Sequence, residues 1–283
     1  MRKLLIPLTI FSLTSLPATA VEWHDDLDAA LDAARQQDQY VIVDLFAEWC
    51  GWCHVLDEQV FSSEPFDKFA AGFELARVDV DHDQDGPELQ TRYEVDGLPT
   101  TLILTGDGVL VGKVKGMAPT MEYIDKLRRE IAVYENLGEL YRSLEETTEP
   151  KKLRALAEAF HRRSDGERAA ALYRRLLEQD WEEPQGKAAL PLRLADALRL
   201  TGSWNEALTV AAQARDYARQ AEQENFLEAA DLLAIRIAKE QGDCSRERSA
   251  MERFLQAHPD SRYKASVRSS LAEITSGTRT GCS

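Results

Sequence analysis

Cys50 and Cys53 stand three positions apart in Trp49-Cys50-Gly51-Trp52-Cys53-His54. Two thiols at that spacing can exchange disulfides, share a metal or close an inert bridge. The preceding run, Tyr40-Val41-Ile42-Val43-Asp44-Leu45-Phe46, is rich in β-branched residues and reads as a central strand buried on both faces, so the cysteines fall where a helix opens. The unpaired N–H groups and the positive dipole end of that helix favour thiolate at Cys50. A free thiol titrates near 8.5, and at such positions the value drops to roughly 3.5–7.5. Cys50 is therefore expected to be partly ionised at neutral pH and to act as the nucleophile. A zinc site needs four ligands, and only His54 lies nearby, since Cys244 and Cys282 sit far away in a different kind of sequence. Redox chemistry, with no metal and no cofactor, is the preferred reading over a zinc unit or an inert disulfide.

The 283 residues are long for one domain and comfortable for two, and the formal charge of −15 argues against nucleic acid and anionic membrane surfaces as partners. Met1-Arg2-Lys3, the apolar stretch Leu4 to Leu16 and Ala18-Thr19-Ala20 form the three parts of a secretory signal, with cleavage expected after Ala20. The apolar part, about 13 residues with Pro7 inside it, is too short to span a bilayer. The expectation is a soluble periplasmic protein, not inserted in the membrane after cleavage, in a compartment that oxidises Cys-x-x-Cys pairs.

From 21 to 136 helix and strand patterns alternate. Leu27, Ala30, Leu31 and Ala34 repeat at helical spacing before the central strand. After the motif helix come a strand over 73–80, a short helix over 88–93, and strands over 101–104 and 109–114 joined by a Gly106-Asp107-Gly108 turn. A helix over about 120–134 closes the unit.

Val43-Asp44-Leu45-Phe46-Ala47-Glu48-Trp49-Cys50-Gly51-Trp52-Cys53, followed by Gly97-Leu98-Pro99-Thr100, resembles the thioredoxin family over roughly 21–136. Trp52 replaces the commoner Pro. With Cys53-His54 and the insert from Glu58 to Gly72, this is closer to exported thioredoxin-like proteins of the Dsb disulfide-reductase kind. The intervening pair tunes the potential, so the direction of electron flow stays open. The resemblance implies that Cys50 attacks the substrate disulfide and that Cys53, less exposed, resolves the mixed disulfide. It makes Asp44 the internal acid that exchanges a proton with Cys53, and Pro99 a cis-proline offering a backbone edge to an extended substrate. Trp49 becomes a flat contact surface or a plain core aromatic. Trp52, Leu98 and Gly116 join the substrate groove, and Arg77 lies near the internal acid.

Asp81-His82-Asp83-Gln84-Asp85-Gly86 fits half of a calcium loop, but Arg92 stands where a bidentate Glu is needed, so an acidic turn is the simpler account. His24, His82, His161 and His258 are isolated and read as surface or satisfied structural residues. Beyond Leu137 the pattern is helical. Gly166, Gly202 and Gly242 fall between amphipathic stretches at spacings of roughly 36–40 residues, which resembles tetratricopeptide-type repeats or generic helical hairpins. The expected organisation is thus a signal (1–20), an α/β thioredoxin-like domain (21–136), an all-α helical-repeat domain (137–277) and a tail (278–283). Cys244 and Cys282 suggest a structural staple, with two free thiols as the alternative. The functional expectation is a periplasmic thiol–disulfide oxidoreductase exchanging with protein thiols, reset by a membrane or soluble redox partner, whose repeats hold a peptide or protein client. A non-catalytic protein-binding scaffold is the alternative.

Overall fold

The structure, a computed structural model, describes residues 22–143, 149–179 and 188–278; the expected signal segment lies outside them. A five-stranded sheet runs in the order β1-β3-β2-β4-β5, from β1 (Trp23–His24), β2 (Tyr40–Phe46), β3 (Phe73–Asp79), β4 (Thr100–Thr105) and β5 (Leu110–Lys115). β1 and β2 lie parallel to β3, whereas β4 is antiparallel to both β2 and β5. Val41 to Leu45 are all buried, as the apolar run requires, because helices cover both faces. On one face α1 (Leu27–Gln37) and α4 (Gly86–Arg92) pack on Val41, Val43 and Leu45. The other face holds α2 (Gly51–Leu56), a π-helical turn (Asp57–Phe61), α3 (Glu64–Ala70) and α5 (Thr120–Ser143), around Ile42, Leu75 and Ile103.

Two elements were not foreseen. β1 has two residues, too few for a period-2 signal, and α3 occupies the stretch read as an insert, started by the Ser63 side chain accepting from Phe66 N–H. The closing helix, expected to end near 134, continues to Ser143, so position 136 lies inside it. Its first half contributes Tyr123, Ile124 and Leu127 to the sheet's core. Its second half sends Leu137 and Tyr141 against the core of the helical region.

That region consists, among the described residues, of α6 (Pro150–His161), α7 (Gly166–Leu177), α8 (Ala189–Leu200), α9 (Trp204–Gln220), α10 (Glu224–Glu240), α11 (Cys244–Ala257) and α12 (Lys264–Ser276). Gly166, Gly202 and Gly242 each stand at a helix junction, as their spacing implied. Small residues such as Ala207, Ala211 and Ala230 are buried where neighbouring helices meet. Polar contacts also tie this region to the α/β unit. Leu110 N–H, on edge strand β5, donates to Arg163 O at 2.7 Å. The Arg168 guanidinium donates to the Tyr134 hydroxyl and lies over the Tyr134 and Phe160 rings.

The Gly106 turn holds the hairpin against α1. Arg35 donates to Gly106 O at 2.8 Å and to Asp107 at 2.8 Å, and a Cβ at Gly106 would lie 2.5 Å from Arg35 N. Backbone cannot yield as a side chain can. Gly106→Ala should therefore destabilise the protein by about 1–3 kcal/mol in chemical denaturation, without changing the alkylation rate of the reduced cysteines.

Candidate active site

β2 ends at Phe46, and the chain turns at once: Cys50 N–H donates to Ala47 O at 3.0 Å. Cys50 is the N-cap of α2, and its Sγ accepts the Cys53 N–H at 3.2 Å, so the sulfur replaces the side-chain oxygen that usually caps a helix. Cys50 and Cys53 form a disulfide. They are almost equally buried, at 5% and 4% exposure. The greater shielding expected of Cys53 is thus small in the oxidised pair, whose bonded sulfurs share one environment. Beside them stand Trp49 and Trp52, exposed at 72% and 66%. Trp49 is no core aromatic. Its indole N–H donates to Asp81 Oδ2 at 2.6 Å, which holds the ring beside the disulfide.

Asp44 lies on the face of β2 that α2 covers, and Leu56 of α2 shares a core with Ile42. The β2–β3 register sets Asp44 opposite Arg77, whose Nε is 4.0 Å from Asp44 Oδ2. Oδ1 has no hydrogen-bond partner. Burial pushes the Asp44 carboxyl up to about 7; Arg77 opposes that rise, and Asp57 adds to it. Arg77 is fixed from two other sides, by an ion pair with Asp57 on the π turn and by the Trp23 ring 4.5 Å beneath its guanidinium.

The Leu98–Pro99 peptide bond is cis, and Leu98 packs against the cluster containing both cysteines. Pro99 O accepts the Gly116 N–H at 2.9 Å, and Gly116 has φ 73°, a left-handed conformation that a side chain would strain. Two lysines of β5 fasten the same loop. Lys113 Nζ donates to Tyr93 O at 2.7 Å and Glu94 O at 3.0 Å, while Lys115 pairs with Asp96. The structure thus gathers Cys50, Cys53, Trp49, Trp52 and Leu98 around one disulfide, with Asp44 behind it.

Asp57 and Asp81 are functional-site residues that the sequence pattern does not reveal. Asp57 has no local signal, because an acid in a helix looks like any solvated side chain. Asp81 stands out in the sequence only as part of the acidic stretch. There the acids bond locally: Asp79 N–H donates to Asp83 Oδ2 at 2.6 Å, and Asp81 N–H to Asp79 Oδ1 at 2.9 Å. Among the described residues no group of three or more His, Cys, Asp or Glu is placed to hold a metal. His54 Nε2 contacts Glu48 O at 3.0 Å; His24, His161 and His258 meet Glu74, Asp196 and Asp231. Cys244, distant from the site, is disulfide-bonded; its expected partner Cys282 lies outside the described residues.

A family model described as thioredoxin-like matches residues 22–106. The thioredoxin of Mycoplasmoides gallisepticum is 31% identical over 105 residues, covering 37% of this chain and 98% of that protein. The chain belongs to the thioredoxin-like family. The thiol:disulfide interchange protein DsbD of Pseudomonas fluorescens is 38% identical over 91 residues, 32% of this chain. The match spans 16% of that relative's length. Among solved structures, a DsbH oxidoreductase is 20% identical with a TM-score of 0.37, covering 44% of this chain and 95% of that one.

Because the folded thioredoxin-like domain holds the Asp44 proton up to about 7 while an unfolded Asp releases it near 3.9, the native state binds the extra proton between those values. Stability from this group is full below about pH 4 and is lost as pH rises through about 7, by on the order of 4 kcal/mol. Asp44→Asn removes the titration. The stability of the variant minus that of wild type should therefore grow between pH 4 and pH 8 in urea unfolding; a constant difference would contradict the burial argument.

Proposed function

We propose that the protein exchanges disulfides with protein clients through Cys50 and Cys53. The supporting observation is a disulfide whose Cys50 sulfur caps a helix start, between two exposed tryptophans and in front of a buried acid. With the pair reduced, the Cys50 thiolate attacks a client disulfide. Cys50–client S–S forms, and one client thiolate leaves. Cys53 gives its proton to the Asp44 carboxylate and attacks Cys50 Sγ, so the Cys50–Cys53 bond reforms and the second client thiolate leaves. Two electrons pass from the protein to the client, and the reverse sequence oxidises a dithiol. The Cys53 N–H aimed at Cys50 Sγ and the helix dipole favour the charged sulfur in both directions.

Trp49, Trp52, Leu98, Pro99 and Gly116 form the client-binding surface, with an extended segment lying along the loop before β4. The α/β unit and the helical region share α5, which runs unbroken through the expected 136/137 boundary; the helical region is built of tetratricopeptide-like repeats that offer a concave surface to a client or to the redox partner that resets the pair. The signal-like residues 1–20 support export to the periplasm. Among the described residues no helix is long and apolar enough to cross a membrane. Cys244 and Cys282 form the structural staple.

Insulin reduction by dithiothreitol tests this reading. Wild type should accelerate it, Cys50→Ser should fall to the uncatalysed rate, and Cys53→Ser should accumulate a client adduct visible on a non-reducing gel. Equal rates for wild type and Cys50→Ser would instead mark a binding scaffold.

A further inference from the structure

Between the α/β unit and the helical region lies an open cleft of about 1450 Å³. One wall is α4, β5 and α5; the other is α6, α8 and α10 with the turns after α6 and α8. Small-molecule sites typically measure about 300–1,000 Å³, so this volume suits a length of polymer better than a metabolite.

Its charge runs against that of the whole chain. Eight Lys or Arg side chains line the cleft against six acids, in a protein of formal charge −15. Arg199 and Arg236 are engaged by Asp196 and Glu240. Lys113, Arg162, Arg163 and Lys239 form no ion pair among the described residues. Arg163 is half-buried, its Nε has no hydrogen-bond partner, and burial lowers its proton affinity despite the field of Glu130. A desolvated guanidinium lacking an acceptor is relieved by an incoming carboxylate.

The cleft also reaches toward the disulfide. Tyr93 and Glu94 line it, and Leu98, which packs beside both cysteines, follows Glu94 by four residues, at most about 14 Å of chain. A polypeptide held at Leu98 can therefore enter the cleft within a few residues of its own cysteine.

We infer that the cleft receives a carboxylate-bearing stretch of the client polypeptide whose disulfide reaches Cys50, an inference that rests on the exchange reading above. The helical region then selects among clients by the acids that flank their disulfides, and β5, shared by the loop and the cleft, joins the two contacts.

The test uses the full chain, wild type and the double variant Arg162→Glu, Lys239→Glu, both at exposed positions. Substrates are two synthetic peptides with the same disulfide, flanked a few residues away by a run of Glu or a run of Lys, and neutral hydroxyethyl disulfide. The double variant should raise KM for the Glu-flanked peptide about tenfold, or about 1.4 kcal/mol. It should leave kcat and hydroxyethyl disulfide turnover unchanged, and high salt should erase the wild-type preference. Equal KM for the Glu-flanked peptide in both proteins overturns the inference. Failure of wild type to turn over hydroxyethyl disulfide overturns the exchange reading instead. Fluorescence anisotropy then still reports the cleft, which is supported by weaker binding of the Glu-flanked peptide to the variant and refuted by equal binding. Circular dichroism confirms that both proteins are folded.

Discussion

A strand whose interior is covered on both faces carries a carboxylic acid, and the rest of the domain is arranged around that burial. The register of β2 and β3 brings one guanidinium to Asp44, but at 4.0 Å and with Oδ1 left without a partner. The carboxyl is therefore held near the neutral range rather than fully ionised. Side chains on the same face, such as Ile42, Leu56 and Tyr123, are fully buried. At about 1.5–3 kcal/mol per large apolar side chain, a few of them offset the cost of the acid. A one-sided sheet would leave Asp44 hydrated and its proton affinity ordinary.

The supports of Arg77 extend that constraint outward. Asp57 belongs to the turn that continues the cysteine helix, and Trp23 to the short first strand. Each holds the cation from a direction the other leaves open. The segment bearing Cys53 and the strand bearing Asp44 are thus joined through one charged side chain as well as through the core.

Much of this was legible in the residues. The apolar run before the cysteines, the glycine-marked hairpin and the helix junctions at Gly166, Gly202 and Gly242 are local patterns, and local patterns read well. Legibility stopped where an assignment depends on what lies across a gap. β1 is defined only by pairing with Leu75 and Ala76. Asp57 acquires meaning from Arg77, twenty positions away, and Asp81 from the Trp49 indole. The second half of α5 carries no stop signal at position 136, because Gly138 is tolerated inside a helix and Leu137 and Tyr141 find apolar partners in the next core. The sequence pattern shows that those residues are apolar without showing which neighbour covers them.

α5 therefore belongs to two cores at once. Tyr134 closes the aromatic cluster beneath the sheet, while Leu137 and Tyr141, a turn or two later, seat the helical region. Modularity ends at this rod: anyone grafting the α/β half onto another array must keep the chain through Ser143, or strip one face from each partner in the graft.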